Sequence, residues 1–217
     1  MSNTIDDRIE TALKDTSFTD EHVRWLDGSL RDNMETCGGK AIHSLFLFGV
    51  FVVAWILLRS AAVGEISVMG VKIENAKIVA LLLPVLAAYC LYAYHCFEAM
   101  AEIIHVARVR LYEVRYKNLY NQDIEQLLTY TTSITVDNAI SNLQPTSSWL
   151  RRTSDGWLVA SMLGVILLPL MTLAWMVYAL LATPPLAWYW SLASALITTF
   201  FFVRTLMVLA LHFKLID

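Results

Sequence analysis

Charged residues are scarce in this chain. Asp, Glu, Lys and Arg make up 16% of its 217 residues, against 57% hydrophobic, where soluble domains carry roughly 25% charge. That deficit excludes an ordinary soluble globule, and the apolar content excludes a disordered chain. Cysteine is scarce too. Cys37, Cys90 and Cys96 form neither a Cys-x-x-Cys nor a zinc-type spacing, so no disulfide framework is implied. The formal net charge of -3 lacks the global basic signature of a nucleic-acid binder. Also missing are a Gly-x-Ser-x-Gly elbow, a His-Glu-x-x-His pair and a Walker-type loop, and no motif assigns the chain to a family. The acidic first residues lack a basic n-region, so the first apolar run is expected to be an uncleaved span.

What is present is apolar and long. Four runs can each cross about 30 Å of hydrocarbon, which takes roughly 20 helical residues. They are 41–63, broken by Arg59, then 78–97, then 157–182, and finally the stretch from the Pro184-Pro185 pair to Leu211, which holds Arg204. The expected class is an all-α polytopic membrane protein with four transmembrane helices in a 2+2 arrangement. Its parts are cytoplasmic amphipathic helices over 1–40, a first span pair over 41–97 with a short outer loop at 64–77, and a cytoplasmic helical region over 98–156. A second span pair over 157–211 and a tail at 212–217 complete the chain.

Orientation follows from Lys and Arg. Twelve of them (Arg8, Lys14, Arg24, Arg31, Lys40, Arg108, Arg110, Arg115, Lys117, Arg151, Arg152 and Lys214) fall on the side of the termini, and only Lys72 and Lys77 on the other. Both termini are therefore expected in the cytoplasm, with the chain integral to the cell (inner) membrane. Trp175, Tyr178, Trp188, Tyr189 and Trp190 gather at the opposite face, and Trp149 and Trp157 flank the inner entry of the third span. Amphipathic rings prefer headgroup depth.

The 1–40 segment reads as two short amphipathic helices, one on Ile5, Ile9 and Leu13, the other on Val23, Leu26, Leu30 and Met34. Thr19 or Asp20 is the expected cap of the second, and Gly38-Gly39 is expected to make a hinge. Ile66 to Ile73 alternates around a Gly and suggests a small outer β-hairpin. No Gly occurs from Val71 to Asp155 and no Pro from Val85 to Gln144. The second span is therefore expected to run on as a cytoplasmic stalk to about Tyr130, roughly 50 Å beyond the bilayer. A turn over 131–138 and a return helix over 139–143 should follow. The stalk's apolar positions (Leu111, Val114, Leu119, Ile124, Leu127 and Leu128) need cover, some of which the 1–40 helices supply and the remainder self-association.

Several constellations are candidate sites. His95, Glu98, Glu102 and His105 share one helical stripe, and Glu102 to His105 matches the Glu-x-x-His step of carboxylate di-iron bundles. A hydrogen-bonded polar seam is the favoured reading of that stripe, so no cofactor is expected. Arg204 is the lone charge of its span, with Glu98 or Glu102 as the expected partner and snorkelling to headgroups as the alternative. Such a pair would form a structural switch. Arg108, Arg110, Arg115 and Lys117 alternate with aromatics at a depth beyond easy headgroup reach, where they fit a soluble partner protein. Nucleic acid or a nucleotide is a lesser possibility there. Pro84 and Pro169 should kink their spans and free backbone carbonyls.

The expected function is a non-enzymatic, oligomeric inner-membrane sensor or scaffold that couples membrane lipids to a cytoplasmic partner. The alternatives are an oligomeric pore-forming effector or channel, for instance in stress or phage defence, and then a lipid-modifying enzyme.

Overall fold

The computed structural model describes residues 19–60, 66–68, 71–73, 76–115 and 148–216, with side chains over 19–60, 77–113, 164 and 166–211. Four helices account for nearly all of them: α1 (Asp20–Arg59), α2 (Ala76–Arg115), α3 (Ser148–Ala182) and α4 (Trp188–Ile216). Between α1 and α2, β1 (Ile66–Val68) and β2 (Val71–Ile73) pair antiparallel, with Ile66 opposite Ile73 and Val68 opposite Val71. Three helical stretches are long and apolar enough to cross a membrane: Asp20–Arg59, Lys77–Glu113 and Trp188–Leu211. The described apolar part of α3, Ile166–Ala182, is shorter. The expected helices at 5–13 and 139–143, the stalk beyond Arg115 and the turn after it lie outside the described residues.

α1 corrects one expectation. Gly38-Gly39 is not a hinge between helices, because a single 40-residue helix passes through both. Two interior glycines cost about 1 kcal/mol each relative to alanine. Breaking the helix there would free up to four carbonyls and four amides at the start of an apolar run, where water cannot satisfy them, and that costs more. Along α1 the fully buried positions recur every seven residues (Met34, Ala41, Phe48 and Trp55), and the phase is kept through the glycines. The N-terminus of α1 is capped as its sequence suggests. The Thr19 carbonyl accepts the first helical bond from the Val23 amide, while the Thr19 amide donates back to His22 Nδ1 at 3.2 Å. The bond from the Thr19 amide to the His22 ring is one half of a capping box, with a histidine in place of the usual Glu or Gln.

The chain divides into two compact units, Met1–Cys37 with Met100–Gly164, and Gly38–Ala99 with Val165–Asp217. In the first, the core is made by Val23 and Met34 of α1 and Leu111 of α2. Leu111, one of the stalk positions expected to need cover, is hidden within its own chain. In the second unit α1, α2 and α3 meet around Phe48, Trp55, Leu83, Ala87, Leu91, Leu173 and Met176. α4 turns Ser191, Ser194, Ala195 and Thr198 inward. Small side chains let helices approach closely, which drives packing where lipid offers no hydrophobic contrast. The opposite face of α4 leaves Leu196, Phe200, Val203 and Met207 exposed. Apolar outside and small or polar inside is the pattern of a bundle solvated by hydrocarbon.

Candidate functional site

The first unit holds a buried ionic cluster. Asp27 interrupts the apolar stripe of α1 between Val23 and Met34, and Arg108 interrupts that of α2 one turn before Leu111. The two meet: Arg108 Nε donates to Asp27 Oδ1 at 2.9 Å, with the arginine side chain 7% exposed and the carboxylate 26%. Tyr112, one turn on from Arg108, completes the group. Burial pushes its phenol up from the ordinary value, the hydrogen bond to Asp27 adds to that, and Arg108 opposes it. The phenol therefore stays neutral and donates to the carboxylate. His105 Nδ1 is buried on the same helix, with no hydrogen-bond partner among the described residues.

This placement changes the reading of the basic stretch. Arg108 faces inward and is spent on Asp27, while Arg110 is half exposed and bonds Glu113 of its own helix. The side chains of Arg115 and Lys117 lie outside the described residues, so an outward basic face rests on Arg110 from the structure and on those two from sequence.

In the second unit, a proline organises one end of the bundle. Pro84 is fully buried in α2 and cannot donate to the carbonyl one turn back, that of Ala80. Trp55 Nε1 of α1 donates to that oxygen at 3.0 Å, and Ser194 Oγ of α4 donates to the neighbouring Leu81 carbonyl at 2.6 Å. Two other helices thus satisfy the carbonyls one turn before the proline. Trp55 in turn packs edge-on against Trp175 of α3, with ring centroids 5.1 Å apart. Arg59 stacks over Trp55 at 5.3 Å and caps α3, donating to the Ala179 and Thr183 carbonyls at 3.1 and 2.8 Å and to the Thr183 hydroxyl. A cation at a helix C-terminus meets its orphan carbonyls and its dipole together.

Beside this end, α2 and α4 leave an apolar groove of about 460 Å³ between Leu82 and Val85 on one wall and Trp190 and Ile197 on the other. Its one hydroxyl, on Ser194, is used by the Leu81 carbonyl, so the lining selects no chemistry beyond hydrocarbon. The rings of Trp175, Tyr178, Trp188, Tyr189 and Trp190 are all exposed. They form an outward belt rather than a ligand cage.

At the other end of α4, Arg204 is exposed and its guanidinium lies 5.8 Å from the Phe200 ring centroid. It makes no ion pair among the described residues. Glu98 is the one acidic residue described in the second unit. An arginine at hydrocarbon depth costs about 2.5–3.5 kcal/mol on insertion scales, so its counter-charge matters. Lys40, midway along α1, lies over the Phe97 ring.

The residues of the candidate metal stripe all lie on α2, where His95 is buried and packs against Tyr94. Among the described residues no three His, Cys, Asp or Glu side chains are placed to hold an ion.

No protein-family model matches this chain, and neither a curated protein nor a solved structure matches it.

Proposed function

We propose that the chain is a four-span protein of the cell membrane with both termini in the cytoplasm, acting as a non-enzymatic, self-associating scaffold or sensor that joins the bilayer to a soluble cytoplasmic protein. The fourth crossing is α3, whose stretch from Trp157 to Ala182 carries no charge and whose helix continues back to Ser148. The twelve-to-two split of Lys and Arg places Arg204 on the cytoplasmic side, and the β1–β2 ribbon and the Arg59 cap outside.

One observation carries the reading. α1 and α2 are each 40 residues long, about 60 Å at 1.5 Å per residue and twice what a span consumes. Their surplus lengths are tied to one another by the Asp27–Arg108 pair and the Val23, Met34 and Leu111 core. A pair of helices fixed in this way presents a defined surface to a partner. Arg110 supplies charge there, Arg115 and Lys117 follow it in sequence, and Trp25, 71% exposed on the same unit, supplies an apolar contact for a second copy or for that partner.

The test is to purify the protein from its own cells after mild cross-linking. The expected result is a soluble protein that co-purifies, and that is lost when Arg110, Arg115 and Lys117 are all changed to Glu while the oligomer survives. Ion leak from liposomes holding the pure protein, with no soluble protein captured, would favour a pore. Bound metal lost on Glu102→Gln would favour an enzyme.

A further inference from the structure

We propose that Arg204, together with Tyr92, forms a binding site for the phosphate of an anionic phospholipid in the cytoplasmic leaflet. This rests on the reading of α4 as a membrane span. Arg204 is the only charged residue in Trp188–Leu211, and it is exposed rather than turned into the bundle. No carboxylate of the described chain pairs with it. The counter-charge must come from the surroundings, and along a lipid-facing helix the available anions are phosphates.

The neighbouring helix equips the position. Phe201 of α4 packs against both Tyr89 and Tyr92 of α2, with ring centroids 5.5 and 5.9 Å apart, and Phe200 packs on Phe201 at 5.4 Å. Through Phe201 and Phe200 that aromatic cluster links Tyr92 to Arg204, while the Tyr92 hydroxyl is hydrogen-bonded with the Cys96 thiol one turn on. A guanidinium and a phenol thus stand on adjacent helices, neither shut into the core. A phosphodiester has two non-bridging oxygens and one negative charge. The guanidinium fork can grip both oxygens, and the phenol, accepting from the Cys96 thiol, can donate its own proton to one of them.

Depth agrees with this chemistry. Tyr92 and Cys96 lie five and one residues before Phe97, the last apolar residue ahead of Glu98, so they sit within about 8 Å of the polar boundary by helical rise. Counting along α4 alone puts Arg204 deeper, but its neighbours on α2 place it where an arginine reaches headgroups. The cytoplasmic leaflet is also where anionic lipid concentrates.

The experiment uses the full chain in detergent, with lipid retention read by native mass spectrometry. Phosphatidylglycerol and phosphatidylcholine of identical acyl chains are titrated, with inorganic phosphate as a competitor. The wild type should prefer phosphatidylglycerol. Arg204→Gln should lower that affinity about tenfold and leave phosphatidylcholine unchanged. Arg204→Lys should keep a weakened preference, and Tyr92→Phe should cost a few-fold. Equal retention of both lipids by the wild type, or a preference that survives Arg204→Gln, overturns the proposal. Displacement of the lipid by millimolar inorganic phosphate overturns the lipid assignment. A cysteine placed at Leu196 separates the two levels of failure. If a membrane-impermeant maleimide labels it in sealed vesicles, α4 does not span and the underlying reading falls. If it is protected while lipid preference is absent, only the phosphate site falls.

Discussion

Trp55→Ala is expected to be the most damaging single substitution in the second unit, lowering stability by about 2–4 kcal/mol in an unfolding titration in mixed micelles. The indole is fully buried and fills the space among α1, α2 and α3. Hydrocarbon competes with protein for apolar surface, so the transfer part of the cost shrinks and the cavity part remains. Three further losses add to it. The Ala80 carbonyl regains no partner, because Pro84 has no amide to offer it; Trp175 loses its edge contact; and Arg59 loses the ring beneath it. Trp55→Phe isolates the hydrogen bond and should cost about 1 kcal/mol. In a Pro84→Ala background the helix can supply the missing amide, so the same change should cost less than about 0.5 kcal/mol. Additive costs in that cycle would mean that the tryptophan does not serve the carbonyl the proline leaves unpaired.

The second large effect concerns the first unit. Arg108→Ala strands the Asp27 carboxylate and should destabilise the packing of Asp20–Cys37 on Met100–Arg115 by about 2–3 kcal/mol, below the usual cost of breaking a fully buried pair because Asp27 is partly exposed. Tyr112 alone cannot compensate a full charge. The double change Asp27→Leu with Arg108→Met removes both charges and keeps apolar volume, so it should recover most of the loss. Hydrogen exchange of the two segments is the measurement. Equal protection in the wild type and Arg108→Ala would show that the pair contributes nothing. If the double variant recovers protection but loses the cytoplasmic partner, the ion pair specifies a surface rather than a fold.

Much of the architecture follows from local features. The apolar runs, the Thr19 cap and the carbonyl freed by Pro84 are all consequences of residue type and spacing within one helix. What local features do not supply is the partner. Ala80 is satisfied from 25 residues away, Asp27 from 81, and the Arg59 cap reaches 124 residues along the chain. Arg59 reads as a blemish in an apolar run until the end of α3 is placed beside it. One signal was nevertheless available. Asp27 lies inside the apolar stripe of Val23, Leu30 and Met34, and Arg108 one turn from Leu111. A lone carboxylate in one apolar stripe and a lone guanidinium in another imply a buried pair, because neither is affordable alone. The alternation of Arg108 and Arg110 with apolar residues drew attention to charge instead of face. Gly38-Gly39 stays helical for a related reason: exposing backbone at the start of an apolar run costs more than two helical glycines.

The account depends on α1 crossing the membrane boundary as one unbroken helix. Amide hydrogen exchange across Glu35 to His43, with the protein in lipid nanodiscs, tests this most directly. Protection of Gly38, Gly39 and Lys40 comparable to that of Met34 on one side and Ser44 on the other is the predicted result. Rapid exchange confined to the two glycines, flanked by protected helix, would contradict it.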